Sequence, residues 1–315
     1  MLLSFALLAG CGGEGGDGGG GGGSERDAAA AGKAAGKLNV ATTTMQTGDL
    51  VREIGGDDVA LTVLMGPGLD PHQYKASAGD VERLGRADLI VYNGLHLEAK
   101  MAEVLERLDA RQPTLAAAEA VPEDRLITQD GARDPHVWFD VELWRFALDA
   151  VEAKLSELDP ERAGAYRERA DRLRGRFDEL HAYARKEFAR IPEDQRVLVT
   201  AHDAFNYLGR AYGLEVVGLQ GISTASEAGT GDVQALAALI ADRRIPAMFV
   251  ETSVSPRAIE AVQQAVRARG HQVVVGGEVY SDAMGDTGTP AGTYVGMIHH
   301  NVDTIVAALA GEANP

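Results

Sequence analysis

DPERAGAYRERADRLRGRFDELHAYARKEFARI, residues 159–191, meets no helix breaker after Pro160 except Gly164 and Gly175. Its apolar positions are Ala163, Tyr166, Ala170, Leu173, Phe177, Leu180, Ala184, Phe188 and Ile191. They advance in steps of three and four, which places them on one continuous stripe of an α-helix. Asp159 is a good N-cap residue, and Pro160 suits the first turn, where its missing N–H costs nothing. At 1.5 Å per residue such a helix is about 45 Å long, more than one small domain needs. It reads as a strut that links and braces two lobes. The other arrangement with this pattern is one helix lying across a single large sheet.

On both sides of the strut, short apolar runs alternate with amphipathic segments. Leu38 to Thr42, Val59 to Leu64 and Asp88 to Tyr92 read as buried strands, as do Arg196 to Thr200, Glu215 to Gly218, Ala247 to Glu251 and Gln272 to Gly276. Ser77 with Asp80 forms a capping-box pattern. Ser255 followed by Pro256 marks another helix start, which Gly270 closes. Strand–helix alternation implies parallel sheets covered by helices. The expected fold is α/β: two lobes, each a mainly parallel sheet with flanking helices, joined by one long rigid helix. The boundaries read as an N-terminal lobe over 38–142, a helical linker over 143–191 that includes the strut, and a C-terminal lobe over 192–315.

The first residues differ from the rest. Residues 1–11 hold an apolar run, Leu2 to Gly10, far too short to span a bilayer but of the length of a signal-peptide core, closed by the single cysteine, Cys11. Leu8, Ala9, Gly10 and Cys11 resemble a bacterial lipobox, whose cysteine is lipidated after cleavage; Met1 is followed directly by Leu2 and Leu3, without the usual leading Lys or Arg. Residues 12–37 are glycine, alanine and charge, the composition of a flexible tether. With one cysteine there is no disulfide scaffold and no thiolate metal site. A net charge of −17 argues against a nucleic-acid surface. It suits a cationic substrate, although solubility alone is sufficient to account for it.

Eight histidines are candidates for chemistry: His72, His96, His136, His181, His202, His271, His299 and His300. Two stand in the same pattern, Asp70-Pro71-His72-Gln73-Tyr74 and Asp134-Pro135-His136-Val137-Trp138. Proline fixes its own φ and pushes the preceding residue to an extended conformation, so both histidines follow a stiffened backbone. His202 follows the run Val197 to Thr200, just beyond the carboxyl end of an expected strand, where open α/β sheets place their ligands. Asp282, after Val273 to Gly276 and a short loop, has similar topology in the second half. The other histidines read as packing or solvated residues.

From Leu38 onward the chain resembles the zinc/manganese substrate-binding lipoproteins of bacterial ABC importers, the cluster A-I or adhesin-type metal receptors. The resemblance is carried by Gly66-Pro67-Gly68-Leu69-Asp70-Pro71-His72-Gln73-Tyr74, Asn93-Gly94-Leu95-His96-Leu97-Glu98, and Asp134-Pro135-His136-Val137-Trp138-Phe139-Asp140. Thr200-Ala201-His202-Asp203-Ala204-Phe205, Ala211-Tyr212-Gly213, Val250-Glu251-Thr252-Ser253 and Tyr280-Ser281-Asp282 extend it. It implies a non-enzymatic receptor outside the cytoplasmic membrane, lipid-anchored at Cys11 and monomeric, that holds one Zn²⁺ or Mn²⁺ in the cleft between its lobes and delivers it to a membrane permease. The ligands it implies are His72 and His136 from the first lobe, His202 and Asp282 from the second. Three imidazoles and one carboxylate suit four-coordinate zinc, and manganese if the aspartate binds through both oxygens. His202 stands where some relatives carry Glu and lean to manganese; the segment Pro122 to Arg133 lacks the histidines common in the zinc branch. The metal stays open between the two.

Two other functions use the same residues. A metal-dependent hydrolase would need an open coordination position and a general base, for which Glu251 or Glu98 is available. An adhesin without a transport role would not need four convergent ligands.

Overall fold

The first lobe begins with β1 (Leu38–Thr42), a buried apolar run of the kind a parallel sheet encloses. The structure, a computed structural model, describes residues 36–311. Cys11 and all but the last two residues of the expected tether lie outside the described residues. The Thr44 side chain accepts the Thr47 N–H to start α1 (Met45–Gly55), and β2 (Val59–Val63) follows. The Ser77–Asp80 capping box forms as expected at the head of α2 (Ala78–Gly85). Then come β3 (Leu89–Tyr92), α3 (Ala102–Asp109) and β4 (Thr114–Ala116). The four strands make a parallel sheet in the order β2-β1-β3-β4, with Val40 opposite Leu61 on one side and Leu89 on the other.

A short hairpin, β5 (Thr128–Gln129) and β6 (Ala132–Arg133), leads into α4 (Val141–Leu158), which Asp140 caps by accepting the N–H groups of Glu142 and Leu143. The strut itself is α5 (Ala163–Phe188). It starts later than the periodicity alone suggests. Pro160–Arg162 form a 3-10 turn, and the Asp159 carboxylate accepts the Arg162 guanidinium and the Tyr166 hydroxyl instead of capping a backbone N–H. Its 26 residues make a rod of about 39 Å.

The second lobe holds β7 (Val197–His202), α6 (Asn206–Tyr212), β8 (Glu215–Gln220), α7 (Thr230–Arg243), β9 (Ala247–Glu251), α8 (Arg257–Ala268), β10 (Val274–Val279) and α9 (Tyr294–Leu309). β7 pairs with β8 and β9 with β10, each pair parallel, and β7 lies beside β9. The spatial order β8-β7-β9-β10 therefore repeats that of the first lobe. In both, strand order reverses at the middle pair, which opens a crevice at the carboxyl ends of those strands. The strands of the second lobe depart from expectation at their ends. β7 and β8 continue to His202 and Gln220, and β10 runs from Val274 to Val279 through a bulge. Ser255 does not cap α8, whose first turn follows Pro256 without a side-chain bond, although Gly270 closes the helix at φ +82° as expected.

Every residue of the strut's apolar stripe from Tyr166 to Ile191 is buried. It packs against α1 of the first lobe, the preceding helix α4, and α9 of the second lobe. One apolar cluster consequently runs through both lobes, from Leu50 and Ile54 across Leu173 and Phe177 to Tyr294 and Ile298. Smaller clusters, around Leu84 and Met101 and around Ile240 and Val262, lie apart from it. Each large apolar side chain so buried contributes about 1.5–3 kcal/mol. The strut is thus the shared wall of two half-cores, and the lobes face each other across a cleft beside it.

Candidate metal centre

Asp-Pro-His does the same structural job in both its copies. Proline has no N–H, so the aspartate side chain reaches past it to the next one. Asp70 Oδ1 accepts the His72 N–H at 2.9 Å, and Asp134 Oδ1 accepts the His136 N–H at 3.0 Å. The two aspartates then diverge. Asp134 Oδ1 also lies 2.7 Å from Nδ1 of the His136 ring. Asp70 Oδ2 accepts the Thr224 hydroxyl from the second lobe at 2.6 Å, and Gln73 donates to the Thr224 carbonyl. The His136 loop is further held by Asn93, which donates to the Pro135 carbonyl, and by Tyr207, whose hydroxyl donates to the Asp134 carbonyl.

His202 is the last residue of β7 and Glu251 the last of β9, at the crevice of the second lobe. The Glu251 carboxylate takes both the backbone N–H and the Nδ1 of His202. Asp282 sits in the loop after β10, which the buried Asn301 of α9 pins by bonding both N–H and C=O of Tyr280.

These four side chains meet. His72 Nε2 and His136 Nε2 are 3.3 Å apart. Asp282 places Oδ1 3.3 Å from His136 Nε2 and Oδ2 3.3 Å from His202 Nε2, with His72 Nε2 at 3.8 Å. One ligand atom from each of the four lies within 4.8 Å of all the others, and every one of the four residues is buried. No other such cluster occurs among the described residues.

Burial and the neighbouring carboxylates set the charge of the site. Burial holds His72 down to about 3, with the neighbouring imidazoles adding to the effect and Asp282 opposing it. Burial also opposes charge on His136, yet the Asp134 and Asp282 carboxylates overcome it and lift the ring to about 9. His202 is likewise raised well above its ordinary value against burial, by Glu251 and Asp282. Asp282 is held well below the usual carboxylate range, despite burial, by His202 and His136. Even so, His202 Nε2 and both Asp282 oxygens have no hydrogen-bond partner with acceptable geometry. Three orphaned polar atoms at one buried point are costly unless a shared ligand satisfies them. Where Nδ1 of a ring is tied to a carboxylate, as in His136 and His202, loss of the other proton bares the lone pair on Nε2, aimed inward.

The remaining histidines lie elsewhere. His96, expected to pack within the Asn93–Glu98 motif, is exposed at φ +63°. His181 faces the Tyr212 hydroxyl, His271 the Ile245 carbonyl, His300 the Glu278 carbonyl, and His299 packs on Tyr183. Neither candidate general base is available. Glu251 is committed to His202, and Glu98 is buried under bonds from the Thr43 hydroxyl and the N–H groups of Asn93 and Gly94. Asp134 and Glu251 as ring-orienting partners escaped the sequence reading. For Asp134 the available signal was its place two residues before His136; Glu251 offered only its place at the end of an expected strand.

Comparison with known proteins agrees with this architecture. Residues 40–308 match the family of ZnuA, the periplasmic zinc-uptake complex component A. The zinc-binding protein TroA of Treponema pallidum (strain Nichols) is 53% identical over 286 residues, 90% of this chain and 92% of that protein. The manganese-binding lipoprotein MntA of Bacillus subtilis (strain 168) is 49% identical over 282 residues, 89% of this chain and 92% of that one. The solved structure of periplasmic TroA from T. pallidum superposes with a TM-score of 0.86 at 52% identity, covering 87% of this chain and 99% of that one. Matched from the first strand to the last helix, the chain belongs to the ZnuA family of metal-binding, substrate-binding proteins.

Proposed function

We propose that the chain captures one divalent transition metal ion, zinc or manganese, outside the cytoplasmic membrane and delivers it to an ABC-type permease. The ion is cargo, held by His72 and His136 from a first lobe spanning 38–142 and by His202 and Asp282 from a second spanning 192–315, with 143–191 as the connecting helices. A monomer anchored through a lipidated Cys11 and tethered by residues 12–37 would carry this cleft at the membrane face. Among the described residues no helix is long and apolar enough to cross a membrane.

The observation that carries this reading is the convergence of four donors from four distant segments, three of their atoms lacking any hydrogen-bond partner. Four protein donors complete a tetrahedral shell and leave no position for a substrate water, which favours capture over turnover. Relatives described as zinc-binding and as manganese-binding are similarly close, so both ions belong in the test.

The test is a competitive titration of metal-stripped protein with Zn²⁺ and Mn²⁺, using wild type and Asp282→Ala. Tight one-to-one binding by wild type, lost in a variant that keeps its circular dichroism spectrum, is the expected result. Normal binding by Asp282→Ala refutes the ligand assignment.

A further inference from the structure

Asp282 belongs to the second lobe by sequence but is also held from the first. Gln46, at the head of α1, is 1% exposed, and its Nε2 donates to the Asp282 backbone carbonyl at 3.0 Å. The indole N–H of Trp138 donates to the preceding carbonyl, that of Ser281, at 3.3 Å. Trp138 is itself fixed, because its own carbonyl accepts the Tyr294 hydroxyl at 2.7 Å and its ring packs edge-on against His136. Two successive carbonyls of one ligand loop are thus clamped across the cleft.

The clamp on Asp282 carries a cost. Gln46 Oε1 is buried without a partner, and a buried orphan of that kind costs free energy. An aspartate has only two side-chain torsions, so the position of its backbone decides where its oxygens point. Here the two oxygens split between the lobes, Oδ1 toward His136 and Oδ2 toward His202. Both therefore face the space between the imidazoles.

We propose that Gln46 is a positioning residue that keeps both Asp282 oxygens on the ion, and so sets which ion the site accepts. The proposal rests on the capture reading above. Zinc is satisfied by three imidazoles and a single oxygen. Manganese favours more oxygen donors, and in this set the additional one is the second oxygen of Asp282. Releasing the clamp lets the carboxylate swing to one-oxygen contact, which zinc tolerates and manganese does not.

The experiment is Gln46→Met, which keeps the volume and removes the donor, titrated competitively with Mn²⁺ and Zn²⁺ beside wild type. Gln263→Met is the control, since Gln263 Nε2 makes the same kind of bond to the Val273 carbonyl, outside the cluster. Manganese affinity should fall about tenfold or more in Gln46→Met, with a zinc loss several-fold smaller, and neither affinity should move in Gln263→Met. Equal losses, a larger loss for zinc, or no loss overturn the proposal. If Gln46→Met gives no cooperative melt without metal, Trp138→Phe removes the neighbouring donor and is judged by the same ratio. Wild-type protein that binds neither ion refutes the capture reading, and the positioning role with it.

Discussion

Glu251 meets His202 with both carboxylate oxygens, Oε1 on the backbone N–H at 2.9 Å and Oε2 at 2.6 Å from Nδ1. The two residues end neighbouring strands, so the sheet itself sets their spacing. The bond fixes the tautomer that leaves Nε2 bare and raises the basicity of the ring. In Glu251→Gln the amide oxygen still accepts one N–H, but its NH₂ group opposes the other. We expect metal affinity to fall about 10–100-fold with little change in the far-ultraviolet circular dichroism. A competitive chelator titration reads this directly; unchanged affinity would show that β7 alone orients the ring.

Protons and the ion compete for the same nitrogens. His136, lifted from 6.5 to about 9, carries a proton at neutral pH in the metal-free protein, and His202 shifts in the same direction. A folded-state value above the unfolded one means stability that is fully present below about 6.5 and lost as pH rises through about 9. Between pH 7 and 9 the metal-free protein therefore loses this contribution while metal affinity grows, because fewer protons must be displaced. His72, held near 3, is neutral throughout that window and adds nothing. The gap between the melting temperatures of loaded and metal-free protein should widen from pH 7 to pH 9. Thermal melts at three pH values check it, and a gap that narrows contradicts the assignment. Metal uptake at pH 7 should also release about one to two protons per ion, measurable with a pH indicator.

The strut joins the two lobes through one apolar cluster. Phe177 is buried in the shared cluster, its ring 4.9 Å from that of Tyr294 in the last helix. Phe177→Ala should cost about 3–5 kcal/mol, from lost burial and a cavity that rigid neighbours cannot close. Because the lost contacts serve both lobes, calorimetry should show a single transition at lower temperature. Two separated transitions would mean that the lobes fold independently.

Much of this was readable in advance, and for definable reasons. A stripe repeating every three to four residues over 159–191 has few alternatives, and the short apolar runs at Leu38, Val59 and Ala247 begin strands at those residues. What failed was local. Gly276-Gly277 reads as a strand end, yet a Cβ on Gly276 would sit 2.6 Å from Ala308 and 3.0 Å from Phe249. Glycine is there to let the last helix approach, and the strand bulges onward to Val279. β4 is too short, at Thr114–Ala116, to show any period. The histidines stood out because Asp-Pro-His occurs twice. Gln46 did not, since a lone glutamine at a helix start looks like every other, and only the fold brings it to a carbonyl 236 residues away.

Glycine at 218 makes the last prediction, because it lies directly beneath the ligand strand. In register it faces Thr200, and a Cβ there would sit 2.5 Å from both the carbonyl carbon of His202 and the backbone nitrogen of Asp203. Those are backbone atoms in a parallel ladder, so they cannot turn aside as a side chain would. Gly218→Ala must push the end of β7, and with it His202, away from Asp282. Overpacking of this kind costs about 1–3 kcal/mol, and here it should also weaken metal binding. Gly175, midway along the strut, has nothing within 4 Å of the same added atom. Gly175→Ala should therefore stabilise the protein by about 0.5–1 kcal/mol, through helix propensity alone, and leave metal affinity untouched. Melting temperature and affinity measured on both variants separate the two cases: if Gly218→Ala lowered stability without touching affinity, the carboxyl end of β7 would not be what places His202 against the ion.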